Sequence, residues 1–464
     1  MSETGRRQQM LILAATSIGS VLNPLLASMI TLALPAIGME FSVSARDLGW
    51  MSTAFILANA LCLVPGARFV DRFGYKKSYI IGSLVVSATC AFSIFAPDYT
   101  VLIALRVLAG CGISLVMITS LAILTRVFPK NKRGFIIGIN TAMVYIGLSL
   151  GPVLGGVMTE AFGWQSLFML MTPLVLCSAA LLFFFLQQEF TEPVPHVDVF
   201  GACLYAAAVF CLMYGLSTIT EWGSAFLAAA GVILLIVFVW FELRQAYPIL
   251  NVRLFFTNKR FARSAYAALL NYAAVYGVVY FVSLYLQSVG RLTPTETGLI
   301  MLFQPLIQAV MTPVAGKISD RVDPKYLVTA GMSLTVAGVL LLAGLGLTPL
   351  GDAQYITITQ VFIGLGAALF AAPNTSAIMG SVRAAEYSTA SGIVAVVRQL
   401  GMLLSMAVCM ASISFIVGGE ELLGEGMHAE FMFAMRTAMV ICAGFAVAGV
   451  FFSWFRGENP HTDE

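Results

Sequence analysis

The chain repeats one pattern fourteen times: an apolar run of about 20 residues, then a short polar joint. The runs fall near 10–32, 48–69, 78–96, 100–123, 134–157, 166–187, 198–218, 225–243, 263–287, 297–316, 326–347, 355–379, 389–416 and 433–455. A bilayer's hydrocarbon core, about 30 Å thick, is crossed by about 20 apolar helical residues. Helix is required there, because each backbone N–H and C=O must be paired within the segment. Only 10% of the chain is charged and 59% is hydrophobic, whereas soluble domains carry about 25% charge. The expected class is therefore an all-α integral membrane protein with 14 transmembrane helices. The first run, which continues to about Thr31 without a cleavage site, reads as a retained span. The eight cysteines all lie in apolar stretches without ligand spacing. They read as small packing residues, and no metal or other cofactor is expected.

An even number of spans puts both termini on one side. With the termini cytoplasmic, 20 Lys and Arg fall inside and three outside; Arg106 and Arg398 lie within runs. Basic residues accumulate on the cytoplasmic side of membrane proteins. The bias therefore predicts cytoplasmic termini and a multi-pass protein of the cytoplasmic membrane.

Three features recur at nearly one offset. Asp71-Arg72 after run 2 returns as Asp320-Arg321 after run 10, 249 residues on. Arg106-x3-Gly110-x-Gly112 in run 4 returns as Gln360-x3-Gly364-x-Gly366, 254 residues on. Gly138-x8-Gly147 in run 5 returns as Gly392-x8-Gly401, again 254 residues on. The chain thus reads as two six-helix bundles, 1–190 and 262–464, with a two-helix insert at 191–245 and a cytoplasmic linker at 246–261. The basic segment 244–263 fits either a membrane-surface stretch or a solvated loop. Duplicated halves are characteristic of secondary transporters, which hold substrate near the midplane between them.

Within this frame two stretches stand out. Gly147, Gly151 and Gly155 form a small-residue stripe with Pro152 in its middle. Such a stripe lets helix backbones approach closely. It reads either as packing or as a bendable helix between moving halves. Run 13 carries Ser405-Met406 where run 5 carries Gly151-Pro152, which assigns the smooth stripe to the first half, as a hinge or seal facing the other unit. The second stretch is Asp71-Arg72-x-Gly74-x-Lys76-Lys77. With its copy at Asp320-Arg321 it reads as a conformational latch, remade as the halves rock; the alternative is positive-inside anchoring around a Gly74 turn.

These motifs resemble those of the major facilitator superfamily. Residues 67–77 match its loop signature, with Ala67 in the usual Gly place, and Arg106, Gly110 and Gly112 resemble its span-4 motif. Gly138, Gly147, Gly151, Pro152 and Gly155 match its antiporter motif. Fourteen runs, Ala33-Leu34-Pro35, Trp50 and Asp198-x2-Gly201 resemble the fourteen-span drug:proton antiporters. The resemblance implies the major facilitator fold, alternating access and multidrug efflux, with protons or another ion as coupling partner.

The sequence departs from that family at one place: Leu26 stands where it often has an Asp, and no carboxylate lies deep in a run. Asp71, Glu160 and Glu221 are substitutes for the proton carrier. The two arginines within runs either line the cavity or bond helix carbonyls. An expected cavity is lined by Asn23, Asn140, Tyr272, Tyr276, Gln304, Asn374 and Arg398. It suits drug-like or amphipathic small molecules; the alternative is an anion or metabolite carrier without carboxylate coupling. No clustered His, Asp, Glu and Ser set and no phosphate loop appear, so enzymatic and ATP-driven classes are set aside. The expected partners are a small-molecule substrate, the coupling ion and the lipid bilayer, with no nucleic acid, and the chain is expected to be a monomer.

Overall fold

The computed structural model of the chain describes residues 3–128, 133–191, 198–219, 222–245, 248–319, 321–345, 351–382, 387–417 and 428–457. Among them every regular element is helical. The first helices are α1 (Glu3–Phe41), α2 (Ala45–Leu48), α3 (Trp50–Phe73), α4 (Tyr75–Ser93), α5 (Tyr99–Val127), α6 (Arg133–Phe162) and α7 (Gln165–Phe185). Then come α8 (Val199–Ser217), α9 (Ser224–Glu242) and the short α10 (Arg253–Thr257). The remainder are α11 (Lys259–Leu284), α12 (Pro294–Met301), α13 (Phe303–Ser319), α14 (Pro324–Ala343), α15 (Asp352–Gly380), α16 (Tyr387–Ile416) and α17 (His428–Trp454).

Local chemistry sets the helix ends. Asp98 and Asn258 cap α5 and α11, each accepting a backbone N–H three residues on at 2.9 Å, which satisfies a donor the helix leaves unpaired. Pro324 opens α14, where its missing N–H costs nothing. Gly163, at φ +78°, turns α6 into α7. Prolines 24, 35, 65, 152, 173, 313 and 373 sit inside helices, as membrane helices allow.

Twelve described helices are long and apolar enough to cross a membrane. Runs 3 and 5 are not among them. The third forms α4, in which Ser78, Ser83, Ser87, Thr89 and Ser93 are all buried. Ser87, Thr89 and Ser93 donate to helix carbonyls, whereas the Ser78 and Ser83 hydroxyls are buried without a partner among the described residues. The fifth forms α6, whose apolar part, Ile146–Phe162, is the shorter stretch.

The chain divides into two compact units. Unit 1 comprises Met1–Val43, Trp50–Val199 and Thr293–Leu299; unit 2 comprises Ser44–Gly49, Phe200–Leu292 and Ile300–Glu464. Within unit 1, α1 packs on α6 and α7, α5 on α3 and α4, and α4 on α7. Within unit 2, α11 packs on α16 and α17, α15 on α13 and α14, and α14 on α17. The two schemes match helix for helix. Their tightest crossings match as well. A Cβ built on Gly82 of α4 would lie 2.6 Å from the Gly112 carbonyl of α5. One built on Gly331 of α14 would lie 2.7 Å from the Gly366 carbonyl of α15. Backbones this close admit no side chain, the small-residue packing that membrane helices rely on. Helices α8 and α9 pack through Gly215 and Gly231, each against the other helix's backbone.

Candidate functional site

The Asp71 loop is the most fully tied motif in unit 1. Asp71, in the last turn of α3, accepts the Tyr75 hydroxyl at 2.5 Å. The Arg126 guanidinium from α5 lies 3.9 Å from the Tyr75 ring centroid, a cation–π arrangement. Gly74 stands between α3 and α4 at φ +104°, a conformation that favours glycine. Arg72 and Lys77 are exposed, and Lys76 holds its ammonium 5.2 Å from the Phe183 ring centroid.

Glu189, which the sequence reading left inside a polar joint, completes this motif. Its Oε1 accepts the Lys76 N–H at 2.8 Å and its Oε2 the Lys77 N–H at 3.2 Å. The Tyr75 N–H donates to the Phe190 carbonyl at 3.0 Å. A carboxylate on the first N–H groups of a helix meets both the orphan donors and the positive end of the helix dipole. The signal available in the sequence was a lone acid just after an apolar run, too common to single out.

The second copy is described in part. Asp320 lies outside the described residues, as does Glu221. Arg321 is exposed. Asp323 caps α14, accepting the Lys325 N–H at 2.8 Å.

In the span-4 motif, Arg106 is buried in unit 1. Its Nε donates to the Met51 carbonyl at 3.2 Å, and its guanidinium lies 4.3 Å from the Phe55 ring centroid. Gly110 and Gly112 place α5 against two neighbours: a Cβ on Gly110 would meet the Phe55 carbonyl and one on Gly112 the Gly82 carbonyl. In unit 2 the counterpart Gln360 is equally buried, and both its amide atoms lack a hydrogen-bond partner.

The glycine stripe of α6 is filled by α1. Cβ atoms on Gly147, Gly151 and Gly155 would run into Val21, Ser28 and Met29, respectively. Gly156 and Pro152 instead approach α12: a Cβ on Gly156 would lie 2.3 Å from the Pro294 carbonyl, and one on Gly298 2.3 Å from the Pro152 carbonyl. At the end of α6, Glu160 accepts the Thr295 N–H at 3.1 Å. The equivalent crossing in unit 2 reverses the residue types. There Gly277 of α11 donates its N–H to Ser405 Oγ of α16 at 2.8 Å. Gly277 lies 249 residues after Ser28, and Ser405 lies 254 after Gly151. Glycine and serine have changed helices. Gly138 lies in α6, and its surroundings are outside the described residues.

The expected cavity residues divide by unit. In unit 1, Asn23 and buried Asn59 both direct Nδ2 at Met117 Sδ, at 3.3 and 3.6 Å, and Asn59 Oδ1 has no hydrogen-bond partner. Asn140 donates to Ser20 Oγ at 2.7 Å. In unit 2, Tyr272 and Tyr276 are half-buried on α11, and Gln304 is buried where its carbonyl adjoins Gly364. Asn374 is drawn elsewhere: it donates to the Ser264 carbonyl and accepts from Arg456. Arg398, the twelfth residue of α16, is half-buried and forms no hydrogen bond or ion pair with a described residue. Glu242, at the end of α9, is fully buried and accepts the Leu250 N–H at 3.3 Å. It is the one buried carboxylate among the described residues.

Two helical units with matching helix pairings, built largely of helices long and apolar enough to cross a membrane, are the architecture expected of a small-molecule membrane transporter. The profile of the Major Facilitator Superfamily matches residues 16–406 and 267–464, and the chain belongs to that family. It is 30% identical over 412 residues to the multidrug resistance protein Stp of Mycobacterium tuberculosis, covering 87% of this chain and 75% of that one. It is 28% identical over 406 residues to the riboflavin transporter RibZ of Clostridioides difficile, covering 86% and 87%. Its fold is similar to the crystal structure of a bacterial homologue of the human lysosomal transporter Spinster, with a TM-score of 0.72, 17% identity and 98% of each chain covered.

Proposed function

We propose that this transporter exports drug-like, amphipathic molecules across the cytoplasmic membrane by alternating access, in exchange for protons. The topology that goes with this reading has 14 spans, α4 and α6 included, and cytoplasmic termini. Arg398 is the observation that carries the substrate class. A guanidinium stays protonated at any accessible pH, and placing a charge at the centre of a membrane helix costs about 2.5–3.5 kcal/mol on insertion scales. A cation held there without a partner among the described residues favours neutral or acidic cargo rich in carbonyl or phenolic oxygens. Multidrug resistance in one relative and riboflavin transport in another fit such cargo. Asn59, Asn271 and Gln360, each with an unpartnered amide oxygen, add groups that water or cargo would satisfy.

The same arginine supports a second reading, a facilitator for organic anions that needs no proton carrier. Everted membrane vesicles separate the two. Uptake of a fluorescent drug is followed with and without an imposed pH gradient. Export coupled to protons collapses when the gradient is dissipated, while facilitated movement persists. Drug movement that ignores both the gradient and Arg398→Ala would sink the coupled-exporter reading.

A further inference from the structure

Unit 2 contains a second pair of arginines that cargo binding does not use. They lie at the end where α11 and α14 begin and α17 finishes, the end that the basic-residue bias assigns to the cytoplasm. Arg260 is the second residue of α11 and 7% exposed; Arg456 lies two residues beyond α17 and is 1% exposed. Asn374 Oδ1 accepts Arg456 Nη2 at 2.8 Å. Nε and Nη1 of both arginines are buried without a hydrogen-bond partner among the described residues.

The charges do not balance either. Among the described residues, Asp323 is the carboxylate that acts on both arginines, and it already serves as the cap of α14. Burial pulls Arg456 down to about 10, the adjacent Arg260 pulls in the same direction, and Asp323 opposes them. A guanidinium does not escape by losing its proton, so among the described residues two fixed cations face one carboxylate.

The rim is basic and aromatic. Lys325 holds its ammonium 4.5 Å from the Trp454 ring centroid. Arg263 donates to the Phe455 carbonyl. Tyr326, Trp454 and Phe455 are exposed, the residue types found at headgroup depth. Gly457 follows Arg456 at φ +87° with open space about its Cα.

We propose that Arg260 and Arg456 form a binding site for a singly charged phosphate group, supplied by an anionic phospholipid headgroup or by free phosphate. One negative charge brings the cluster to two against two. Phosphate oxygens accept charge-assisted hydrogen bonds from N–H donors such as the open Nε and Nη1 of each arginine, and basic pockets between helix ends on the cytoplasmic side are a known form of headgroup site. The site sits apart from Arg398 and does not depend on which cargo is exported.

The test uses the full chain purified in detergent. Native mass spectrometry measures retention of phosphatidylglycerol against phosphatidylcholine, and thermal unfolding measures stabilisation by inorganic phosphate. We expect wild type to retain phosphatidylglycerol about tenfold over phosphatidylcholine, and Arg456→Met and Arg260→Met to lose that preference. Stabilisation of wild type by phosphate alone, absent in both variants and without lipid preference, assigns the same site to free phosphate. Variants that match wild type in both assays overturn the proposal. Should Arg456→Met fail to fold, Arg260→Met and Arg456→Lys decide in the same way: a single ammonium replaces the fork, and undiminished retention in both rules the site out.

Discussion

Glu189 Oε1 accepts the backbone N–H of Lys76 at 2.8 Å, although 113 residues separate them. One carboxylate thereby fastens the chain just past α7 to the first turn of α4. A side chain at residue 74 would collide with this same carboxylate, 2.4 Å from a Cβ built there, and the φ of +104° disfavours one in any case. Glu189→Gln keeps the shape but removes the charge, and is expected to lower stability by about 1 kcal/mol, typical of a lost helix cap. Gly74→Ala is expected to cost more. Thermal unfolding of the purified variants checks both; a Gly74→Ala protein as stable as wild type would contradict the clip.

The Ser28–Gly151 crossing predicts a rescue. Gly151→Ser places a hydroxymethyl where Ser28 Oγ already lies, an overpacking expected to cost about 1–3 kcal/mol. Ser28→Gly with Gly151→Ser recreates the arrangement found at Gly277 and Ser405. The double variant is expected to recover most of the transport rate that the single variant loses, measured as initial uptake in vesicles. A double variant as poor as the single one would show that the two crossings are not interchangeable.

For Arg398 the expected effect depends on the cargo. Arg398→Met removes the charge and keeps apolar bulk, so transport of acidic or carbonyl-rich substrates should fall about tenfold, equivalent to about 1.4 kcal/mol. A cationic substrate should be carried no worse, and better if repulsion by the guanidinium had excluded it. Competition assays with matched acidic and cationic dyes distinguish these outcomes. Equal losses for both would assign Arg398 to structure alone.

The Asp71–Tyr75–Arg126 set should act on rate more than affinity. Asp71→Asn and Tyr75→Phe each weaken one interaction in a charge cluster built from the ends of α3, α4 and α5. Turnover is expected to drop about tenfold while substrate dissociation constants stay within about twofold. Matching losses in binding and turnover would remove the latch role.

Much of this was legible in the chain. The apolar runs gave the helices, because a backbone in hydrocarbon has few other ways to pair its polar groups. The offsets of 249 and 254 residues match α4 with α14 and α5 with α15, and in both pairs of helices glycines meet at a close crossing. Other features were not legible. Nothing local to Glu189 says that it reaches Lys76, since the contact depends on how α7 returns beside α4. Asn374 looked like a cavity residue because it is an amide within an apolar helix, yet a buried arginine from beyond α17 takes its oxygen. The stripe on α6 was recognisable as packing, but which helix filled it was a tertiary fact.

The exchange of glycine and serine between facing helices bears on how the two halves of such a chain should be compared. Aligned position by position, Gly151 against Ser405 and Ser28 against Gly277 score as two separate losses of likeness. Taken together they leave the sum unchanged: one hydroxymethyl and one hydrogen atom at a single helix crossing. What has persisted since the duplication is the volume available to the pair, and either helix can own the larger share. Internal symmetry in proteins of this kind is therefore better sought in the contents of contacts than in the letters at matched sites.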